Sequence, residues 1–514
     1  MKRSRKIFTS ILCSVTGIVL LVTGCVLIHV FSELIHSEVD DQLPLKKGSE
    51  SYKNWQAPGT PIYFQVWMFD VVNYMEVMEK GERPALVQMG PYTYLEKREK
   101  YDIKFSNDGT VSYKESRTFF FDRSRSAGSE NDTFHCVNLP MLTVADMVRY
   151  ENPLIKEAVE FVLKLTGEQL FIKLSVGDLM WGYEDPLLKE VDKVLRPFNR
   201  SIPDVFGLFY NQNGTDDGVY EIISGQKGLD HFGEILSWNG NTSLSYWNSK
   251  IANAINGSDG TLYPPFISTS QTKYLFSSDL CRSLGMDFKK DVTNRGIDMD
   301  RFVAPEIMFG NVTVNPDNAG FCTPPGNCLP SGLLNVSVCR TGAPVVMSMP
   351  HFLGCDPQTI NAVEGLSPNE EEHSSFLDIE PLTGVVMNAG KKLQINVFMD
   401  KIDGFPEFAH LKPIFFPVMW LNESAMISEG DAAKFKNEVL DKIKLTDAVK
   451  YSLIAVGGFV LVCVLAVLVK GKLTSSSSSQ SSHVQDRDHL VNHERFDDPL
   501  LIPNGGSNSN PGIM

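Results

Sequence analysis

Two apolar runs, Ile7 to Phe31 and Tyr451 to Val469, stand near the ends of the chain, and all eight Asn-x-Ser/Thr sequons lie between them. Roughly 20 apolar residues in a helix cross about 30 Å of hydrocarbon, and both runs reach that length. A cleaved leader is the alternative for the first run, but the stretch is too long and no small-x-small cleavage site precedes His29, Phe31 and Glu33. It reads as a retained anchor. Lys2, Arg3, Arg5 and Lys6 flank the first run, and Lys470 and Lys472 follow the second, so the positive-inside rule puts both tails in the cytosol. The predicted order is a tail at 1–6, a membrane helix at 7–31, a luminal or extracellular body at 32–450, a second membrane helix at 451–469 and a tail at 470–514.

The sequons, Asn131, Asn199, Asn213, Asn241, Asn256, Asn311, Asn335 and Asn422, fit exposure of the body to the glycosylation machinery, against chance clustering in the longest segment. The body is long enough for a large core. A net charge of −15 argues against nucleic acid as a partner. Cys13, Cys25 and Cys463 fall inside the apolar runs; Cys136, Cys281, Cys322, Cys328, Cys339 and Cys355 fall in the body. The clustering from Cys281 to Cys355 suggests disulfides rather than zinc, since Cys322 to Cys328 is too wide for a paired ligand motif. Spacing leaves the connectivity open.

Between the anchors, Pro61 to about Phe121 reads as strands, with Ile62, Phe64, Val66 and Met68 alternating with Tyr63, Gln65 and Trp67. Residues 140–195 read as helices: Leu154, Ile155, Ala158, Val159, Val162 and Leu165 recur at helical spacing, with Lys156, Glu157, Glu160 and Lys164 largely on the other side. Short strands return from about Asp204, as in Leu393, Ile395, Val397 and Met399 alternating with Gln394, Asn396 and Phe398. The fold class is mostly β with α, a helical insert on a β body.

Catalytic motifs are missing. There is no Gly-x-Ser-x-Gly elbow, His-Glu-x-x-His motif or phosphate-binding Gly-rich Lys-Ser/Thr loop. Glu370, Glu371, Glu372 and His373 could bind metal or shuttle protons, but consecutive residues point in different directions, and capping or surface hydrogen bonding explains them better. The chain reads as a non-enzyme without cofactor or metal. In the first helix, Ser10-x-x-x-Ser14 and Cys13-x-x-x-Gly17 could admit close packing on the second helix or on another copy in a homo-oligomer.

Gly90-Pro91-Tyr92, Trp181-Gly182-Tyr183, Phe206-Gly207-Leu208-Phe209-Tyr210, Cys281-Arg282-Ser283, Pro368-Asn369-Glu370-Glu371-Glu372-His373 and Leu377-Asp378-Ile379-Glu380-Pro381 occur in that order between the two anchors. Together they resemble the class B scavenger receptor family over nearly the whole chain. Asn213-Gly214-Thr215, Asp317-Asn318-Ala319-Gly320-Phe321-Cys322 and Phe416-Pro417-Val418-Met419-Trp420-Leu421-Asn422-Glu423-Ser424 are most similar to its lysosomal branch. The resemblance implies a luminal antiparallel β-barrel, a helical bundle at its membrane-distal apex and an apolar tunnel conducting cholesterol or phospholipid. It also implies a cargo enzyme, β-glucocerebrosidase, bound by the helix around Ile155, Ala158, Val159, Val162 and Leu163, where packing alone would otherwise explain the apolar stripe. No sequon falls between residues 132 and 198 to cover that helix. By position the disulfides would be Cys281 with Cys339 and Cys322 with Cys328, leaving Cys136 and Cys355 with each other or unpaired.

The chain departs from the lysosomal branch at the start of this helix. The branch carries a pH-sensing histidine there; this chain has Pro153, and no histidine occurs from Cys136 to Asp230. Carboxylates such as Glu151, Glu157 or Glu160 could replace it only if burial raised their pKa. In the C-terminal tail, Ser475 to Ser482 reads as a flexible linker, and Asp497 with Leu501 and Ile502 fits an acidic-dileucine sorting signal. Two aliphatic side chains would enter a slot on a clathrin adaptor while the carboxylate meets a basic patch. That signal favours lysosomes and late endosomes; the alternative is a plasma-membrane scavenger receptor for lipoproteins, lipids or microbial particles.

Overall fold

A computed structural model describes residues 2–198, 201–340 and 344–484, so Asn199 and the sorting residues Asp497, Leu501 and Ile502 lie outside the described residues. Contacts divide the chain into two units, one made of residues up to Ser32 and from Ile443, the other of Glu33–Lys442.

The first unit is built on the helices Lys2–Gln42 and Asp441–Val484, both long and apolar enough to cross a bilayer by length and composition. Each outruns its apolar core. The second also continues through Ser475–Ser482, which the sequence reads as a flexible linker; propagating an existing helix fixes one residue per hydrogen bond and spares the cost of nucleation. The helices touch through glycines. A Cβ on Gly457 would stand 2.7 Å from the Leu21 nitrogen and 2.8 Å from the Gly17 oxygen, so the backbones meet where neither carries a side chain. Of the small residues picked out by spacing, Gly17 makes this contact, whereas Ser14 donates its hydroxyl to Ser10 O in its own helix.

In the second unit an antiparallel sheet runs through strands Lys273–Ser277, Arg282–Asn294, Ile297–Val303, Phe376–Ile379, Val386–Met399, Ile414–Met426, Ile62–Val71, Leu86–Phe105, Thr110–Phe121, Tyr220–Ile223 and Ile235–Trp238. It nearly closes into a barrel. The gap between its edges is bridged by Gly257 and Ser258: Ile235 N donates to Gly257 O (2.8 Å), and Phe276 N donates to Ser258 O (2.9 Å). Gly257 has φ +79°, and a Cβ there would fall 1.9 Å from Tyr274 O, so closure requires glycine. Register aligns the inward rows: Val66 lies opposite Leu421 and Tyr92, Met68 opposite Met419, and Leu393 and Ile395 opposite Leu421 and Met419. All of these side chains are buried.

Alternation at Leu393–Met399 misleads in one respect, because Gln394 and Asn396 are buried as well. The strand Val345–Ser348 pairs with this strand at its edge, and the segment after it lies over Gln394. Asn396 donates to Ser348 Oγ (3.0 Å) and Gln394 accepts from His351 N (2.7 Å), which offsets their desolvation.

The helical insert comprises Leu139–Met147, Pro153–Thr166, Val176–Trp181 and Pro186–Leu195, interrupted by a two-stranded ribbon of Thr133–Val137 with Phe171–Ser175. Cys281 is bonded to Cys339 and Cys322 to Cys328. Cys136 and Cys355 are not paired with each other. They are free thiols in separate hydrophobic clusters, and burial pushes each up to about 12. Asn131, Asn213, Asn241 and Asn256 are exposed, while Asn311, Asn335 and Asn422 are half-buried.

Candidate functional site

Three features of the second unit carry chemistry. The first is the Pro153–Thr166 helix. Asn152 caps its start by accepting from Ile155 N (3.1 Å), Pro153 supplies a preset φ at the first turn, and Gly167 ends it at φ 71°. Ile155, Val159, Val162 and Leu163 are buried, and the helix packs against Pro186–Leu195 with its buried Leu187, Leu188, Val191 and Leu195. This corrects the sequence-based assignment. Four of the five residues expected to meet a partner form the core face, and only Ala158 is half-buried. The accessible apolar residues lie on the other side: Leu154 is 77% exposed, Phe161 65% and Leu165 68%, in line with Ala158, and Tyr150 stands just before the helix at 92%. The Glu160–Lys164 ion pair and the exposed Glu157 rim this stripe.

The second feature is a charged belt on the inward face of the sheet. Glu96, Arg98 and Lys100 alternate along Leu86–Phe105; Lys100 sits opposite Glu115 and Arg98 opposite Arg117. Arg98 bonds Glu96 (2.7 Å) and pairs with Glu423, which also meets Lys391 (3.3 Å). Lys100 pairs with Glu115 and lies 5.4 Å from the ring centres of both Trp55 and Tyr113. Burial raises the Glu115 pKa, but Lys100, Arg98 and Arg117 outweigh it and hold the carboxyl at about 2. Asp279, between Lys391, Arg117 and Arg340, is likewise held far below the usual range against its burial.

The third is a stacked pair of histidines. His351 and His373 lie 4.3 Å apart at 8°, edge-on to Trp420. Ser367 N donates to His351 Nδ1 (3.0 Å), and His351 Nε2 lies 2.7 Å from Gln88 Oε1, which also accepts from Trp420 Nε1. Asn369 N donates to His373 Nδ1 (3.0 Å). Both rings therefore accept at Nδ1 and must be neutral there. Glu370 meanwhile pairs outward with Lys289 (2.8 Å), and Asn369 caps the Glu371 and Glu372 nitrogens, so the Glu370–His373 run serves capping and packing.

Burial, then the neighbouring His373, lowers His351 from 6.5 to about 4; His373 is lowered too, by burial above all, with Glu372 opposing and Lys392 assisting. A base with a depressed folded-state pKa contributes stability above its unfolded value and loses it as pH falls. Between pH 7 and pH 5, His351 is expected to withdraw about 2 kcal/mol. The measurement is the urea midpoint of the full chain at both pH values beside His351→Asn, which tolerates the φ of 53° at this position. Equal pH slopes for the two proteins would remove His351 from this role.

The comparisons with known proteins agree with this architecture. Residues 15–468 match the CD36 family model. The chain is 38% identical to lysosome membrane protein 2 of Mus musculus over 452 residues, covering 88% of this chain and 91% of that one. It is 37% identical to the Homo sapiens protein of that name over the same shares. With scavenger receptor class B member 1 of Cricetulus griseus it shares 35% over 447 residues, 87% of each chain. An antiparallel near-barrel between two terminal membrane-length helices, matched over almost its full length, makes this chain a member of the CD36 family, the class B scavenger receptors.

Proposed function

We propose that this protein is a lysosomal or late-endosomal receptor with both termini in the cytosol, which holds a luminal enzyme of the β-glucocerebrosidase type on its Leu154–Leu165 stripe. The same body would conduct cholesterol or phospholipid along the barrel interior. The exposed stripe carries the reading: a helix whose opposite face is already packed has no structural use for Leu154, Phe161 and Leu165 in water. Similarity to lysosome membrane protein 2 supports the location. The tail would engage clathrin adaptors through Asp497, Leu501 and Ile502, and the sequons would carry glycans around a bare docking helix. Likeness to scavenger receptor class B member 1 favours a second reading, a surface receptor for lipoproteins, lipids or microbial particles.

One cell experiment tests location and cargo together. Full-length wild type, Phe161→Asp, and a tail variant with Asp497, Leu501 and Ile502 all changed to alanine are expressed side by side. Phe161→Asp is expected to recover about tenfold less β-glucocerebrosidase at unchanged yield and melting temperature, since it places a charge in a desolvated contact and touches no core. The tail variant is expected to keep the enzyme and accumulate at the cell surface. Undiminished enzyme recovery by Phe161→Asp would move the contact off this helix, and a lysosomal tail variant would end the sorting claim. Val159→Asp is no substitute, because Val159 is fully buried and the change acts on folding.

A further inference from the structure

Arg282 is a buried cation without an ion pair among the described residues, as Lys392 is, and it lacks even a short hydrogen bond. It is 4% exposed, yet no carboxylate lies within ion-pair distance of it among the described residues. Its hydrogen bonds are long and neutral: Nε to Ser283 O at 3.5 Å, and Nη2 to Met308 O at 3.4 Å and Met308 Sδ at 3.3 Å. Nη1 has no hydrogen bond among the described residues. The guanidinium lies 3.8 Å from the ring centre of Phe321 and 5.2 Å from that of Phe309. Ring faces return roughly 1–2 kcal/mol each, whereas burying an ion costs several kcal/mol, so the rings leave a deficit.

Beside Arg282 opens a cavity of about 30 Å³, lined by Phe309, Phe321, Leu333 and the Cys322–Cys328 bridge together with Asn311, Asn318 and Asn335. One water needs about 10–15 Å³ by the same measure, so the space suits a single small ion and excludes an acyl chain. We propose that this cavity is an anion site, in which a halide-sized monovalent anion neutralises the Arg282 guanidinium between Phe309 and Phe321. The anion receives the unused Nη1–H, and the burial of the guanidinium strengthens the pairing. Burial lowers the Arg282 pKa to about 9, the direction expected of a guanidinium buried without a carboxylate beside it.

The test uses the full-length chain in detergent. Crystals soaked in sodium bromide and measured at the bromine edge are expected to show an anomalous peak within hydrogen-bonding distance of Arg282; no peak at saturating bromide overturns the site. In solution, replacing gluconate by chloride at constant ionic strength is expected to raise the wild-type melting temperature by several degrees and then saturate, while Arg282→Met responds little. An equal response in both proteins also overturns it. Should Arg282→Met fail to fold, the bromide peak decides alone.

Discussion

Lys100→Met is expected to destabilise the folded chain by about 3–5 kcal/mol, because it strips the main counter-charge from a carboxylate that stays buried. Lys100 is 2% exposed, pairs with Glu115 and fits between Trp55 and Tyr113, so methionine fills much of its volume and the loss is electrostatic. Glu115 would keep Arg98 at 3.7 Å, which is also committed to Glu96 and Glu423. The double variant Lys100→Met, Glu115→Gln removes both charges and is expected to recover part of the loss, so the two single effects should exceed the double. Strict additivity in urea unfolding would show that the pair is not coupled. The depressed Glu115 pKa sets the pH range: this carboxyl contributes above its ordinary 4.5 and loses that contribution as pH falls toward about 2. At pH 5 the belt is intact, whereas the stability that the neutral His351 contributes is already being lost.

The same belt marks where sequence reading stops. Glu96-Lys97-Arg98-Glu99-Lys100 looks like a solvated charge run, and only strand alternation around a closed barrel sends Glu96, Arg98 and Lys100 inward. Strands such as Ile62–Met68 were legible because one face is buried and period two is visible; the terminal helices were legible from length and apolarity. The Pro153–Thr166 helix is legible from its period, but the burial of Ile155, Val159, Val162 and Leu163 is not. Apolar residues lie on both sides of it, and periodicity cannot say which side Pro186–Leu195 covers. Phe161, the largest exposed apolar residue in the helix, stands on the side away from that packing. A hint existed in the close set Ile155, Val159, Val162 and Leu163, the i, i+4, i+7, i+8 pattern of a packed face. His351 and His373 come together only through the covering layer that follows Val345–Ser348, and neither sits in a motif that links them.

The two disulfides should differ in worth according to the loops they close. Cys281 and Cys339 are 58 residues apart, Cys322 and Cys328 only 6. Chain-entropy bookkeeping assigns the longer loop about 4 kcal/mol and the shorter about 2 kcal/mol, since the cost of closing a loop in the unfolded chain rises with the logarithm of its length. Cys281→Ala with Cys339→Ala is therefore expected to lower the urea midpoint about twice as far as Cys322→Ala with Cys328→Ala. Local structure pushes the same way. Cys281 is a buried residue at φ 50°, its carbonyl accepts from Trp247 Nε1 at 2.6 Å, and it immediately precedes Arg282, so releasing it loosens a packed corner of the barrel. Cys322 and Cys328 instead bound a short loop and themselves line the cavity. If the short-loop variant proves the more damaging, entropy of the unfolded chain is not what these bridges supply. The cavity beside Arg282 would then be the place to look for the missing stability, with the bromide signal in that variant as the measure of its integrity.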